Sequence, residues 1–211
     1  MVFSQLTDVL HRFAGPLPGA RAQMRMVNYA RPIVNPEAAI NAQTRMSGVM
    51  VLLYQVEGNV HTLLIKRPDY EGVHSGQISF PGGKQEPGDP DLQFTALRET
   101  REEVGPVTEA LQIVGALTPV FIPPSNFFVR PFVGLLPDKP LFVPDSREVA
   151  ALISLPLSHL ASPWAIVEKK VFVSGLNTQL TVKCFDFEGH IIWGATAMML
   201  AELTEILFGE R

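Results

Sequence analysis

Apolar residues recur along the chain with two different spacings, which predict strands in some stretches and helices in others. Apolar runs of strand length occur at 47–56 and 61–66, and Glu57-Gly58-Asn59 between them predicts a hairpin turn. Further strand-like runs lie near 111–121, 127–136, 165–173 and 179–187. Helical spacing is found at 90–104, near 146–153 and at Gly194–Phe208. Strands mixed with a few helices, without regular alternation, predict an α/β fold in which helices cover a mixed sheet.

The first 37 residues are predicted as an N-terminal helix and an extended connection, and residues 38–211 as the main domain. The apolar residues of 4–13 follow helical spacing: Leu6, Val9, Leu10 and Phe13. This amphipathic helix either docks on the domain or lies on a membrane surface. Docking is favoured because one Arg and one His make a poor basic face. Residues 14–37 are rich in Gly and Pro, which favours an extended connection.

Composition and charge limit the function classes. The 211 residues carry a net charge of −4, which argues against a general nucleic-acid binder because such domains are usually basic. Cys184 has no second cysteine to pair with, so it forms no disulfide within the chain. We expect it to pack as a buried apolar side chain. No apolar run reaches the roughly 18 residues that a membrane-spanning helix needs. We therefore expect a cytoplasmic protein that binds neither nucleic acid nor membranes.

The helix predicted over 90–104 follows a long Gly- and Pro-rich loop at 67–89 and has well-marked ends. Asp89 is predicted to cap the free N–H groups of its first turn, and Asp91 is favoured near the positive end of the helix dipole. Gly105, followed by a proline, marks its end.

Three carboxylates of this helix border its apolar side. Glu99, Glu102 and Glu103 are spaced i, i+3 and i+4, so their side chains lie within reach of one another. Crowded carboxylates repel and raise each other's pKa unless a cation intervenes, and oxygen ligands suit Mg²⁺ or Mn²⁺. The preceding Gly82 and Gly83 allow the backbone to approach a ligand closely.

A purely structural interpretation of these glutamates stays open. Arg98 and Arg101 would then pair with Glu102 and Glu103 along a solvated helix, where each pair contributes a few tenths of a kcal/mol. Helical spacing alone does not decide between this arrangement and a metal site.

The segment resembles the box of the Nudix hydrolases, which runs Gly, five residues, Glu, seven residues, then Arg-Glu-aliphatic-any-Glu-Glu-any-Gly-aliphatic. Gly83 opens the box and residues 98–105 close it, with Asp89 in place of the first Glu and one extra residue before Arg98. The resemblance implies a Nudix-type α/β/α sandwich with a mixed β-sheet. It also implies hydrolysis of a small diphosphate by attack of water on phosphorus. The catalytic residues would be Arg98, Glu99, Glu102 and Glu103, with Arg98 orienting a glutamate. Mg²⁺ or Mn²⁺ would be bound by Glu99, Glu102, Glu103 and the Gly82 carbonyl.

Residues upstream of the box are similar to the coenzyme A pyrophosphatase subfamily. The similarity runs from Leu63-Leu64-Ile65-Lys66-Arg67-Pro68 to Phe80-Pro81-Gly82-Gly83, with Gly72 standing where an Arg is expected. It implies cleavage of coenzyme A or acyl-coenzyme A, with substrate contacts from Arg67, His74, Gly76, Gln77, Phe80 and Ser125. The alternatives are a pyrophosphatase of ADP-ribose, a dinucleotide or a nucleotide sugar, and a Nudix-fold ligand sensor without turnover.

Several of these residues also have a structural interpretation. Phe80 fits the core, Arg67 fits a surface ion pair, and His74 fits a hydrogen bond within its loop. Glu148 is either a late-loop base or metal ligand, or a glutamate favoured by a helix dipole. For quaternary structure, a homodimer is the expectation to test, with the N-terminal helix as its candidate contact.

Overall fold

The computed structural model describes residues 3–27, 35–68, 76–106, 111–162, 164–173 and 178–209. Eight strands of this part of the chain form one sheet: β1 (Arg45–Val56), β2 (Asn59–Lys66), β3 (Ile78–Ser79), β4 (Gly82–Lys84), β5 (Gln112–Ala116), β6 (Val120–Ile122), β7 (Phe127–Leu135) and β8 (Ala151–Pro156). A second sheet contains β9 (Ile166–Val173), β10 (Thr178–Phe187) and β11 (His190–Ile192). The α-helices in these ranges are α1 (Phe3–Thr7), α2 (Ala20–Met24), α3 (Leu92–Val104), α4 (Leu157–Leu160) and α5 (Gly194–Phe208).

Strand β1 is central to the larger sheet. One edge of β1 pairs in parallel with β7, and the other edge pairs antiparallel with β4 and then with β2. Strand β8 extends the sheet by pairing antiparallel with β2. The sheet is therefore mixed, as predicted.

Alternate side chains of β1 point into two cores, one on each face of the sheet. One core contains α3 and the β1 residues Met50, Leu52 and Tyr54. The other contains α5 and the β1 residues Val49, Val51 and Leu53. Every residue of α5 from Thr196 to Leu207 is buried. The predicted α/β/α arrangement is confirmed, and α3 lies on the opposite face of the sheet from α5.

Local sequence signals located most elements. The hairpin of β1 and β2 is present, and its turn has positive φ at Glu57 (49°) and Gly58 (81°), as a tight two-residue turn requires. Strands β7, β9 and β10 and helix α5 also lie where predicted. The strand expected near 111–121 is interrupted at 117–119, and the loop at 67–89 contains the short strands β3 and β4.

Two predictions were wrong. The segment at 146–153 is not helical: it forms turns and the start of β8, whose residue Ile153 pairs with Leu64 of β2. This pairing joins residues far apart in sequence, which local periodicity does not report. The connection at 14–37 is not wholly extended, because it contains α2, which packs against α5.

The N-terminal segment docks on the domain as expected, although as two short pieces and not one helix. Helix α1 is followed by a 3₁₀ helix at Leu10–Ala14. Leu6 and Phe13 are 0% and 5% exposed and belong to the core shared with α5. The division into two parts at residue 37 stays a prediction. In the described ranges, no helix is both long and apolar enough to cross a membrane.

Candidate active site

Three glycines bring α3, β4 and β1 into close contact. A Cβ at Gly48 would lie 2.1 Å from the carbonyl oxygen of Leu92, so the start of α3 rests directly on β1. Gly82 has a φ of 144°, and a Cβ there would lie 2.4 Å from the carbonyl oxygen of Gly48. At Gly83 a Cβ would lie 2.4 Å from Cδ of Glu99. The backbone of β4 therefore lies against a carboxylate of α3.

Glu103 is buried at this junction, with 1% of its surface exposed. Its Oε2 accepts a hydrogen bond from the Gly82 N–H at 2.7 Å, and its Oε1 lies 3.9 Å from Nη1 of Arg67. Burial raises the pKa of Glu103 to about 8; these two contacts lower it, while Glu99 and Glu148 raise it further. The solvated-helix interpretation is therefore wrong for Glu103.

Arg98 joins three carboxylates of the site. Its Nη2 lies 3.0 Å from Oε1 of Glu99, and its Nη1 donates to Oε2 of Glu102 at 3.1 Å. The pair with Glu102 is the one that the solvated-helix interpretation predicts, and the Glu102 side chain is half exposed. Burial raises the pKa of Glu99, and the neighbouring Arg98 offsets part of that rise. The third carboxylate is Asp89, which accepts hydrogen bonds from both Nε and Nη2 of Arg98.

Asp89 does not cap the helix, which corrects the sequence prediction. Helix α3 begins two residues later than expected, and its cap is Asp91, whose Oδ1 accepts from the N–H of Phe94 at 2.7 Å. Asp89 is buried, and its Oδ1 and Oδ2 accept hydrogen bonds from Nε and Nη2 of Arg98 at 3.0 and 2.9 Å. Its Oδ2 also accepts from Oγ1 of Thr95 at 2.9 Å. The guanidinium of Arg98 holds the pKa of Asp89 well below its usual range. Asp89 thus fixes the orientation of Arg98.

Glu148 reaches the same site from a later segment of the chain. Asp145 N–H donates to the carbonyl of Glu103 at 3.0 Å, and Glu148 N–H donates to the carbonyl of Asp145 at 3.0 Å. Through space, the Glu148 charge raises the pKa of both Glu99 and Glu103. Since no helix begins there, the dipole interpretation of Glu148 is wrong.

The chain matches the model of the NUDIX domain over residues 44–173. Two similar relatives are the uncharacterized Nudix hydrolases NudL of Yersinia enterocolitica and Yersinia pestis, 36% and 35% identical over 143 residues. These alignments cover 68% of this chain and 72% and 70% of the two relatives. The chain belongs to the Nudix family. It is a Nudix hydrolase, and its box is the segment that brings Glu99 and Glu103 to β4. Among solved structures, the NUDIX domain of Shewanella oneidensis NrtR complexed with ADP ribose is 20% identical, with a TM-score of 0.47, covering 67% of this chain and 86% of that one.

Nudix hydrolases generally need divalent ions such as Mg²⁺ or Mn²⁺, and the donor set of this site fits such an ion. The donors are carboxylate and carbonyl oxygens, which hard cations prefer. Burial raises the pKa of Glu99 and of Glu103, and a bound cation would relieve that cost. Among the described residues, no three acidic, His or Cys side chains are already grouped as ligands. Glu102 is turned toward Arg98 and would have to leave it to join Glu99 and Glu103.

Arg67 lies beside the carboxylates of this Nudix hydrolase. Its Nη1 is near Glu103, and its buried Nε makes no hydrogen bond to any residue in the described ranges. Its backbone N–H donates to the carbonyl of Gln77 at 3.0 Å. One third of the Arg67 side chain is exposed, so it borders the site from the side of β2.

The other residues predicted to contact substrate differ in their surroundings. Phe80 is 1% exposed and belongs to the core, which confirms the structural interpretation of this residue and not the predicted substrate contact. Gly76 has a φ of 64°, and its N–H donates to the carbonyl of Pro68 at 3.2 Å. Ser125 has a buried Oγ without a hydrogen-bond partner among the described residues. His74 lies outside the described residues.

Sequence reasoning missed contacts that tie distant segments to the site. Oγ of Ser47 donates to the carbonyl of Gly83 at 2.6 Å, and Asp145 holds the end of α3. The approach of Arg67 to Glu103 was missed as well. Each contact joins segments more than 30 residues apart, and neither helical spacing nor the box carries a signal for it.

Replacing Gly83 by Ala is expected to lower kcat by about 100-fold with the fold retained, because the new Cβ would displace the carboxylate of Glu99. Gly88→Ala is the matched control, since no atom lies within 4 Å of a Cβ at that position. Steady-state kinetics of the two variants, with circular dichroism of each, check this prediction. Equal activities would show that the packing of Gly83 on Glu99 does not matter for turnover.

In the metal-free protein, raising the pH is expected to reduce the free energy of unfolding through Glu103. The folded-state pKa of about 8 lies above the ordinary value of 4.5, so the folded chain binds more protons between these two values. Stability due to this group is therefore greatest at low pH and is lost toward pH 8, by an amount on the order of a few kcal/mol. Urea unfolding with a chelator across this pH range measures it. The same pH dependence in Glu103→Gln would contradict the assignment.

Proposed function

We propose that this Nudix hydrolase cleaves the diphosphate of coenzyme A or an acyl-coenzyme A. The products are adenosine 3′,5′-bisphosphate and phosphopantetheine or its acyl form. The observation that carries the hydrolytic part is the cluster of Glu99, Glu103 and Glu148, in which burial and mutual repulsion raise the pKa of the first two. The coenzyme A part is supported by the similarity of residues 63–83 to that subfamily.

Glu99, Glu103 and the Gly82 carbonyl would hold the divalent ion, joined by Glu102 once it leaves Arg98. When bound, such an ion neutralises the diphosphate and the charge that develops on its leaving oxygen. Asp89 keeps Arg98 in place through two hydrogen bonds, so that Arg98 orients Glu99.

We assign Glu148 as the base that accepts a proton from the attacking water. Its side chain is exposed to solvent and, among the described residues, is committed to neither Arg98 nor Gly82. The water oxygen attacks one phosphorus, and the bond from that phosphorus to the bridging oxygen breaks. The bridging oxygen departs with the other phosphate, and the proton of the water passes to Glu148.

Arg67 is assigned to the phosphates of the substrate. Its guanidinium borders the carboxylate cluster, and one third of the Arg67 side chain is exposed. A guanidinium offers two parallel N–H donors to a phosphate, which suits this position. Gly76 and Gln77 are assigned to the same part of the substrate site, because their backbones are hydrogen-bonded to Pro68 and to Arg67.

The test uses the purified protein with Mg²⁺ or Mn²⁺ and four substrates: coenzyme A, 3′-dephospho-coenzyme A, ADP-ribose and NADH. We expect adenosine 3′,5′-bisphosphate from coenzyme A, identified by mass, and a much lower rate without the 3′-phosphate. Glu103→Gln is the inactive control that excludes a contaminating hydrolase. Preference for ADP-ribose or NADH would overturn the assignment of coenzyme A as substrate but would be consistent with diphosphate hydrolysis. Binding of a substrate without turnover would favour the ligand sensor.

A further inference from the structure

Strand β9 forms an open edge of the second sheet. The strand order is β11-β10-β9, and in the described part of the chain β10 is the strand that pairs with β9. This pairing runs from Ile166 to Val173 without a register shift. Strand β9 contains no proline and no bulge, which proteins use to prevent an edge from pairing with another chain. Its outer edge therefore offers an eight-residue template for a further strand.

Large apolar side chains are exposed along this edge. Phe172 of β9 is 59% exposed, and Trp164, which lies two residues before the strand, is 85% exposed. By contrast, the apolar residues Leu6 and Phe13 of the N-terminal segment are buried in their own chain. The edge of β9 thus combines backbone that is open to pairing with apolar side chains in water, which is typical of a surface that binds another strand.

The sequence of β9 is self-complementary toward an antiparallel second copy. A two-fold axis at Lys169 places each residue opposite the residue equally far beyond the axis in the other copy. Residues directly opposite one another share a face of the sheet and contact each other. The resulting pairs, in order from the axis, are Glu168 with Lys170, Val167 with Val171, and Ile166 with Phe172. Opposite charges therefore meet, and apolar side chains meet apolar side chains.

This complementarity belongs to one register. Moving the axis by one residue to Glu168 places Val167 opposite Lys169. Moving it the other way, to Lys170, places Glu168 opposite Phe172. Both shifts set a charge against an apolar side chain, so the pattern of β9 favours the axis at Lys169.

The charge of Lys169 is compensated within each chain. A lysine on an edge strand usually opposes pairing, and an axis at Lys169 brings this residue opposite its own copy. Nζ of Lys169 lies 2.8 Å from Oδ2 of Asp186 on β10, so each copy brings one positive and one negative charge to the axis. Both side chains are partly exposed, and solvent and salt screen what repulsion is left.

The same register places Phe172 of the second copy beside an apolar cavity. Ile166, the residue opposite it, lines a cavity of about 270 Å³ together with Leu160, Phe185 and Ala201. Aromatic side chains that enter such pockets are typical anchors of protein interfaces. The exposed Phe172 of one copy thus has apolar surface to pack against in the other.

We propose that two copies of this chain pair through β9, antiparallel and with the two-fold axis at Lys169. The two three-stranded sheets then form one continuous six-stranded sheet. The paired segment, 166–172, is much shorter than the roughly 20–30 residues that each side of a standard interface contributes. We therefore expect a weak dimer, with a Kd on the order of 50 µM. The proposal is independent of the substrate assigned above.

Sedimentation velocity of the full-length protein, from about 1 to 500 µM, tests whether the dimer forms. We expect a monomer at the lowest concentration and mostly dimer at the highest. A monomer throughout this range would overturn the proposal.

Charge exchange then tests the interface and its register. Glu168→Lys and Lys170→Glu each place like charges opposite one another twice in the dimer, and each should weaken dimerisation at least about tenfold. The double variant restores opposite charges and should dimerise within about threefold of the natural chain. Glu86→Lys makes the same change of charge at an exposed glutamate outside β9 and is the matched control.

Thermal unfolding of each variant shows that it is folded. Dimerisation of the two folded single variants with unchanged affinity would place the interface elsewhere and refute the proposal. A double variant that dimerises as weakly as the single variants would refute the pairing of Glu168 with Lys170 and with it the proposed register.

Discussion

Glu103→Gln is expected to lower kcat by about 1000-fold while the protein stays folded. Glutamine keeps the shape of the side chain, and its amide oxygen can still accept the hydrogen bond from Gly82. What it removes is the negative charge that we assign to metal binding. Because burial raises the pKa of Glu103 to about 8, the neutral side chain also removes a cost to folding at high pH. Steady-state kinetics and urea unfolding of the same preparation measure both effects.

Glu86→Gln is the matched control for this variant. It removes the charge of a glutamate in the segment that follows β4, and the side chain of this glutamate is exposed. We expect its kcat to stay within about twofold of the natural chain. Full activity of Glu103→Gln would refute the metal assignment, and loss of activity together with unfolding would assign Glu103 a structural role.

Glu202→Ala is expected to destabilise the protein by about 3–5 kcal/mol, because several buried donors would lose their acceptor and each unpaired donor costs roughly 1–3 kcal/mol. Glu202 is fully buried on α5 and accepts hydrogen bonds from the backbone N–H of Gly19 at 3.1 Å and from Nε2 of Gln23 at 2.9 Å. It also accepts from Oγ1 of Thr118 at 2.7 Å. Truncation leaves these donors without an acceptor, and it loosens the N-terminal segment that they hold on α5.

Thermal unfolding and limited proteolysis check this result. For a chain of this size, the expected loss lowers Tm by roughly 10 °C, and cleavage within residues 14–27 should become faster. Glu86→Ala is the control, because its exposed side chain should change Tm little. A change of less than about 1 kcal/mol in Glu202→Ala would show that the buried network does not hold the N-terminal segment.

Elements with strong local signals could be predicted without the structure. Helix α5 has the predicted bounds because a long apolar stretch begins after Gly194 and ends before Gly209. The hairpin of β1 and β2 was equally clear from its apolar runs and its turn. The segment at 146–153 was misassigned because its strand forms by pairing with β2, about 90 residues earlier. The edge of β2 was free to pair with another strand, and this long-range pairing decided the structure of the segment against its helical spacing.

The sequence by itself determined that Glu99, Glu102 and Glu103 lie at helical spacing on one helix. Helix geometry and residue type suffice for that result, since both are local. That these residues belong to a Nudix box was implied by the resemblance of residues 83–105 to the motif of that family. The tertiary structure decided that Glu103 is buried beside Gly82 and Arg67, and that Asp89 binds Arg98 and does not cap the helix. These outcomes depend on desolvation and on contacts between distant segments, and neither quantity is encoded in local spacing.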